Sequence, residues 1–175
     1  MKVLETERLV LRRLVAEDAP FILELLNDPS WLRFIGDKGV RTLDDARAYI
    51  RNGPGDMYAR LGHGLYLTEL KDGGVPIGLC GLIKRDTLEH VDIGFAFLPQ
   101  YRNRGYAHEA ASATLAYARN SLGLKRIVAI TSPDNQASGR LLEKIGLRFE
   151  ALIRLAGGSG EVRLFGSGDP GVGGG

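Results

Sequence analysis

The densest chemistry in this sequence lies between Asp92 and Ala110, where a strand runs into a turn and the turn into a helix. Val91, Ile93, Phe95 and Phe97 are apolar at every second position, the pattern of a half-buried strand. Pro99 has no backbone donor and stops regular pairing. Beyond it, Arg102-x-x-Gly105-x-Ala107 opens an Ala-rich run from Ala107 to Ala118 with strong helix propensity. A strand, a tight turn and a helix start gather unpaired N–H groups and the positive end of a helix dipole in one place. That geometry suits a phosphate anion. Gly105 and Ala107 lack bulk where phosphates would approach the backbone. Spacing alone also fits an ordinary strand-to-helix connection. No Gly-Lys-Ser/Thr loop and no complete Gly-x-Gly-x-x-Gly is present.

The elements that must position this turn can be read from the flanking sequence. Arg8 to Arg13 reads as a first strand, with Leu9 and Leu11 on one face. Asp18 caps a helix over Ala19 to Asn27, which Asp28-Pro29-Ser30 ends. Thr42 caps a second helix through Ile50, and Asn52-Gly-Pro-Gly-Asp56 reads as a break. Leu65 to Leu70 and Pro76 to Lys84 form two strands joined at Asp72-Gly-Gly74. After the central helix, Gly123 gives a stop, and Arg126 to Ile130 is a short apolar strand. Asp134 or Asn135 starts another helix, which Gly146 ends; Leu147 to Ile153 and Glu161 to Phe165 are late strands. This order predicts an α/β (α+β) fold, a mixed sheet covered by helices. Residues 1–166 form one domain, and the Gly-rich residues 167–175 a flexible tail.

Bulk properties narrow the function. A chain of 175 residues is long enough for one real core, and 44% hydrophobic with 25% charged residues is ordinary for a globular protein. No apolar run approaches membrane length, the N-terminus lacks the pattern of a secretory signal, and Cys80 stands alone. A cytoplasmic setting is the expectation. Three His and one Cys make a structural zinc site unexpected. Net charge is +2 but uneven. Residues 1–99 carry 13 basic and 15 acidic side chains, and residues 100–175 carry 10 and 6. An anionic small ligand for the basic half fits better than a nucleic acid.

Four segments together resemble the GNAT acyltransferases, and among them the RimJ/RimL-like N-acetyltransferases. They are Glu5-Thr-Glu-Arg-Leu-Val-Leu-Arg12, Asp92-Ile-Gly-Phe95, Arg102-Asn103-Arg104-Gly105-Tyr106-Ala107-His-Glu109-Ala110, and Asn135-Gln-Ala-Ser138-Gly-Arg-Leu-Leu142-Glu-Lys-Ile-Gly146. The resemblance implies a mostly antiparallel central sheet flanked by helices and splayed at the cofactor strand. It also implies acetyl-CoA as acyl donor and an amine-bearing acceptor, a protein N-terminus or a small molecule, with the protein a monomer or homodimer. The pyrophosphate would lie on the amides of Arg102 to Ala107, and pantetheine would add along Phe97 and Leu98 like a short strand. Asn135 would be a pantetheine contact, a simple helix cap, or both.

The implied chemistry makes demands of its own. An amine attacks a thioester only when neutral, and free amines have pKa values of ~8 or ~10.4. A proton acceptor is therefore needed, with an N–H aimed at the developing oxyanion and a donor for the departing thiolate. By family position the N–H belongs to Phe97 or Leu98. Asp92 is the first candidate base, ahead of Glu109 and Glu69; its alternative is an ordinary strand carboxylate. Many family members carry a Tyr where this chain has Leu142, so the sulfur donor falls to Ser138, one turn earlier. Ser138 can equally be a small residue that permits close packing, and Gly139 beside it is unusual inside a helix. The missing Tyr also raises the alternative of a non-catalytic CoA-binding or regulatory module. For the acceptor end, Asp44, Asp45 and Asp56 are candidate attractants, and Trp31, Phe34 and Tyr58 candidate lining.

Overall fold

In the computed structural model, residues 2–155 and 160–167 are described. Strands β1 (Lys2–Glu5), β2 (Leu9–Arg13), β3 (Leu65–Leu70), β4 (Pro76–Ile83) and β5 (Asp92–Phe97) follow one another antiparallel across the sheet. Strands β6 (Val128–Thr131), β7 (Arg148–Arg154) and β8 (Glu161–Gly166) extend it in the order β6, β8, β7, again antiparallel. Among the described residues only β5 and β6 run parallel, and they share a single register pair, Asp92 with Val128. Past that pair the two strands part. The expected mixed, mostly antiparallel sheet, splayed at the strand before the Gly105 turn, is what forms.

Alternation along the strands divides the core between the two faces. Leu9, Leu11, Ile77, Leu82, Ile93 and Phe97 pack on one face against α5 (Tyr106–Asn120) and its Ala110, Ala111, Leu115 and Ala118. The small side chains let α5 lie close on the sheet, where Thr114 meets Cys80 at 3.4 Å. Leu67, Leu79 and Leu98 face the other way, under α1 (Ala19–Leu26) and α3 (Leu43–Ile50).

The helical half departs from expectation in two places. Asp28-Pro29-Ser30 does not simply stop α1. Asp28 accepts from the Ser30 N–H and caps a further helix, α2 (Pro29–Phe34), with Pro29 in its first turn. Asn52-Gly-Pro-Gly does not break the chain either. Arg51–Gly55 is a π-helical turn that joins α3 to α4 (Asp56–Leu61). A Cβ on Gly55 would lie 2.9 Å from the Ile50 carbonyl, so the widened turn itself requires glycine. The first strand, expected at Arg8, is preceded by the edge strand β1.

The last described residue is tied to the approach to β6. Ser167, assigned above to the tail, is buried, its N–H donating to Ile127 O and its Oγ accepting from Ile127 N. Residues 168–175 of the expected tail lie outside the described residues.

Candidate active site

The parting of β5 and β6 opens a cleft of about 2130 Å³. Its open end lies beyond the C-terminal ends of both strands, where α5 and α6 (Gln136–Lys144) begin. Helix α5 starts without a side-chain cap. Its N-cap, Gly105, has φ +83°, and Asn103 has φ +61°, the left-handed region that glycine and asparagine tolerate best. Alternation of left-handed residues turns successive amides to one side, forming a nest for an anion. None of the backbone N–H groups from Asn103 to His108 has an acceptor among the described residues. The Arg102 N–H, by contrast, is bonded to Pro99 O.

The basic side chains of the turn divide their work. Arg102 is turned inward: Nε and Nη2 donate to Phe97 O at 3.0 and 2.8 Å, and Nη1 and Nη2 reach Ser30 and Asp28. It staples the end of β5 to α2 and leaves no donor clearly aimed outward. Arg8 lies across the turn instead. It donates to Arg104 O, stacks over the Tyr106 ring at 4.4 Å, and pairs with Glu109 at 2.7 Å. Glu109 accepts from Thr6 and from Arg8 N and Nε. Partial burial opposes its charge, yet those hydrogen bonds hold its pKa below the usual carboxylate range. A carboxylate so occupied is a latch rather than a base. Glu69 pairs with Arg12 and does not line the cleft.

The strand supplies the next set of groups. The Leu98 N–H donates to Ile77 O at 3.0 Å, so Leu98 is spent on the β4 side and buried beneath α1 and α3. Antiparallel pairing alternates direction, so Phe97 and Phe95 send their N–H and C=O groups the other way, toward the splay. Of the two oxyanion donors expected, Phe97 alone remains.

Asp92 sits where the splay begins, 1% exposed, with Arg85 Nε donating to Oδ1 at 3.2 Å. Burial pushes its pKa up to about 6, against the pull of Arg85 and Lys84. A carboxylate in that range can accept a proton near neutral pH. On the facing element, Asn135 caps α6, its Oδ1 accepting from the Ser138 N–H at 3.3 Å. Asn135 Nδ2 and Ser138 Oγ have no acceptor or donor among the described residues, and both side chains line the cleft with Leu142. Gly139 has a steric reason: a Cβ there would meet Arg163 Nη2 at 2.1 Å and Phe165 at 3.3 Å. Cys80 is fully buried, its pKa pushed up to about 12 by burial, and takes no part.

The acceptor end differs from expectation. Trp31 and Phe34 line it, but Tyr58 is core, its hydroxyl bonded to Leu14 N and Leu65 O. Asp44 and Asp56 pair with Arg47 and Arg60 on the surface, and Asp45 caps α3. Lys38, Tyr49 and Arg85 line the cleft instead.

A strand pair splayed after one register point, with a fan of open amides at its mouth, is an arrangement with known relatives. Residues 8–148 match the acetyltransferase (GNAT) domain. The chain belongs to the GNAT acetyltransferase family. It is 33% identical over 149 residues to the uncharacterized N-acetyltransferase YnaD of Bacillus subtilis (strain 168), covering 85% of this chain and 84% of that one. The fold matches an acetyltransferase from Agrobacterium tumefaciens str. C58 with TM-score 0.82, 26% identity, and coverage of 97% and 95%. It also matches RimL, a ribosomal L7/L12 alpha-N-protein acetyltransferase in complex with coenzyme A, with TM-score 0.80 and 16% identity over 95% and 97% of the chains. This GNAT protein is an acetyl-CoA-dependent N-acetyltransferase. Its residues fit that cofactor: the amides from Asn103 to His108 are open, Gly105 presents no Cβ, and on the splay side the Phe95 backbone and the Phe97 N–H are unpaired, the Phe97 carbonyl being held by Arg102.

Proposed function

We propose that the acetyl group passes directly to a primary amine within a ternary complex, through a site made by Asp92, Phe97 and Ser138. When bound, acetyl-CoA supplies the thioester carbonyl and a thiolate leaving group. The amides of Asn103 to Ala107 hold its pyrophosphate, with Arg8 rather than the Arg102 side chain beside them. Asn135 Nδ2, the splay-side N–H and C=O of Phe95 and the N–H of Phe97 would orient the pantetheine arm. The Phe97 N–H would be the donor to the oxygen of the attacked carbonyl.

Asp92 takes the proton of the incoming ammonium, directly or through water, and its raised pKa matches that task. Ser138 Oγ donates to the departing sulfur in place of the tyrosine that Leu142 replaces. The observation that carries this reading is the placement of a buried, proton-hungry Asp92 at the apex of the cleft whose mouth holds the open amides. A non-catalytic CoA-binding module has no use for a cleft that continues past that apex to Trp31, Tyr49 and Arg85. No helix among the described residues is long and apolar enough to cross a membrane.

The test is incubation with acetyl-CoA and a panel of primary amines, with free thiol and acetylated product both measured. Thiol release that requires an amine supports the reading. CoA binding without turnover of any amine overturns it.

A further inference from the structure

Around Asp92 the cleft carries more positive charge than that carboxylate neutralises; of the other carboxylates lining it, Asp28 and Glu109 are paired with arginines and Glu161, at the start of β8, is not paired among the described residues. Arg85, on the connection between β4 and β5, spends Nε on Asp92 and leaves Nη1 and Nη2 without an acceptor among the described residues. Lys38, on the connection between α2 and α3, has no carboxylate partner among them; its neighbour Asp37 is held by Arg41. Both side chains line the same cleft as Asp92. Desolvation, and then the charge of Arg85, lowers the Lys38 pKa. Lys84 does not join them, since its ammonium is turned to the carbonyls of Arg85 and Leu88. From α3, Tyr49 adds a hydroxyl kept protonated by burial, with its pKa up to about 12. Lys38, the spare guanidinium fork of Arg85 and the neutral Tyr49 donor, lining one cleft, form a receptor for an anion.

We infer that the acceptor is a small zwitterion, a primary amine carrying a carboxylate close by, with the free α-amino acid as the parent structure. The inference rests on the amine-acetylation reading above and specifies its substrate class. Asp92 and Arg85 are adjacent and of opposite sign, as are the ammonium and carboxylate borne on one carbon. The ammonium faces Asp92, which must take its proton. The carboxylate faces the Arg85 fork, with Lys38 behind it. The nitrogen of the neutralised amine forms the new N–C bond as the C–S bond breaks; its second proton passes by way of Ser138 to the leaving sulfur, giving the free thiol, and the first remains with Asp92 or passes to water. A polyamine would bring further cations against Lys38 and Arg85. A peptide N-terminus has an amide where the carboxylate is wanted.

The experiment measures kcat/KM with acetyl-CoA for the L-amino acids, their primary amides, ethanolamine phosphate, spermidine and a short peptide with a free N-terminus. The best amino acid should exceed its own amide by about 10²-fold, the scale of losing charge-assisted hydrogen bonds in a site built for them. Lys38→Gln, on a loop away from the core, should raise KM for the amino acid about 3- to 10-fold with kcat little changed, and narrow the acid-over-amide ratio by a similar factor. Equal rates for acid and amide, or preference for spermidine or the peptide, overturn the zwitterion while leaving acetyl transfer intact. Preference for ethanolamine phosphate overturns the carboxylate in favour of a phosphate. Silence with every amine is the different failure that removes the reaction itself.

Discussion

Replacing Asp92 by asparagine should separate what the residue does for catalysis from what it costs the fold. Its pKa rises from 3.8 to about 6 on folding because the carboxylate is almost wholly buried. At 1.36 kcal/mol per pH unit, that rise corresponds to about 3 kcal/mol of destabilisation when the group is ionised. The sign follows from proton binding. The folded state holds the proton more tightly than the unfolded state, so the cost is absent below pH 3.8, grows between 3.8 and about 6, and is complete above that. A neutral amide at this position has no such cost, though Arg85 loses its charged partner. The expected result is an Asp92→Asn protein more stable than wild type at pH 8, by about 1–3 kcal/mol, with the gain gone near pH 4. The same variant should lose about 10²- to 10⁴-fold in kcat/KM near pH 7, and recover part of it as pH rises and the amine deprotonates unaided. Urea unfolding at both pH values and a pH profile of kcat/KM provide the readouts. A variant less stable than wild type at pH 8 would refute the burial account. Parallel pH profiles would remove Asp92 as proton acceptor.

Three further substitutions test the surrounding structure. Gly105→Val places a β-branched residue at φ +83°, with its Cβ 3.2 Å from Arg8 Nη2. Stability should fall by about 1–2 kcal/mol, while calorimetric CoA affinity drops more than 10-fold, a loss on the order of 1.4 kcal/mol or greater. Ser138→Ala should lower kcat about 10²-fold with no rescue at high pH, and an unchanged kcat would assign Ser138 to packing alone. Glu109→Gln loses charged acceptance from Thr6 and Arg8 and should destabilise by about 1–2 kcal/mol at pH 7. Because the Glu109 pKa is depressed, the wild-type advantage should be full above the ordinary carboxylate value and fade as pH falls through the lowered one. Denaturant midpoints across that range decide it.

The parts of the fold legible in the sequence were those whose local signals needed no distant partner. The Asp72-Gly-Gly74 hairpin, the period-two run into Phe97 and the Asn135 cap all state their own geometry. Pro29 and Pro54 were misread because a proline that cannot continue one helix can open another, or sit in a widened turn. β1 was missed because four residues on a sheet edge become a strand only by pairing with β2. In the site, the open amides followed from Arg102-x-x-Gly105-x-Ala107, but the inward turn of the Arg102 side chain did not. That turn depends on Ser30 and Asp28, which are more than seventy positions away. Arg85 and Lys38 were invisible for the same reason. Nothing local marks either residue, and only the folded chain brings the two loops over Asp92.

A sheet normally has two edges, but this one has four. Beside the outer edges at β1 and β7, the chain carries a facing pair inside the molecule, where β5 and β6 separate after Asp92 and Val128. Outer edges invite unwanted chains, and proteins blunt them with charge, brevity or twist. The inner pair is guarded by position, because it lies at the floor of a furrow whose mouth is set by the starts of α5 and α6. Whatever completes the pairing there must be slender, extended and anionic at one end. On the proposed reading, the interrupted sheet is a selective filter for acetyl-CoA.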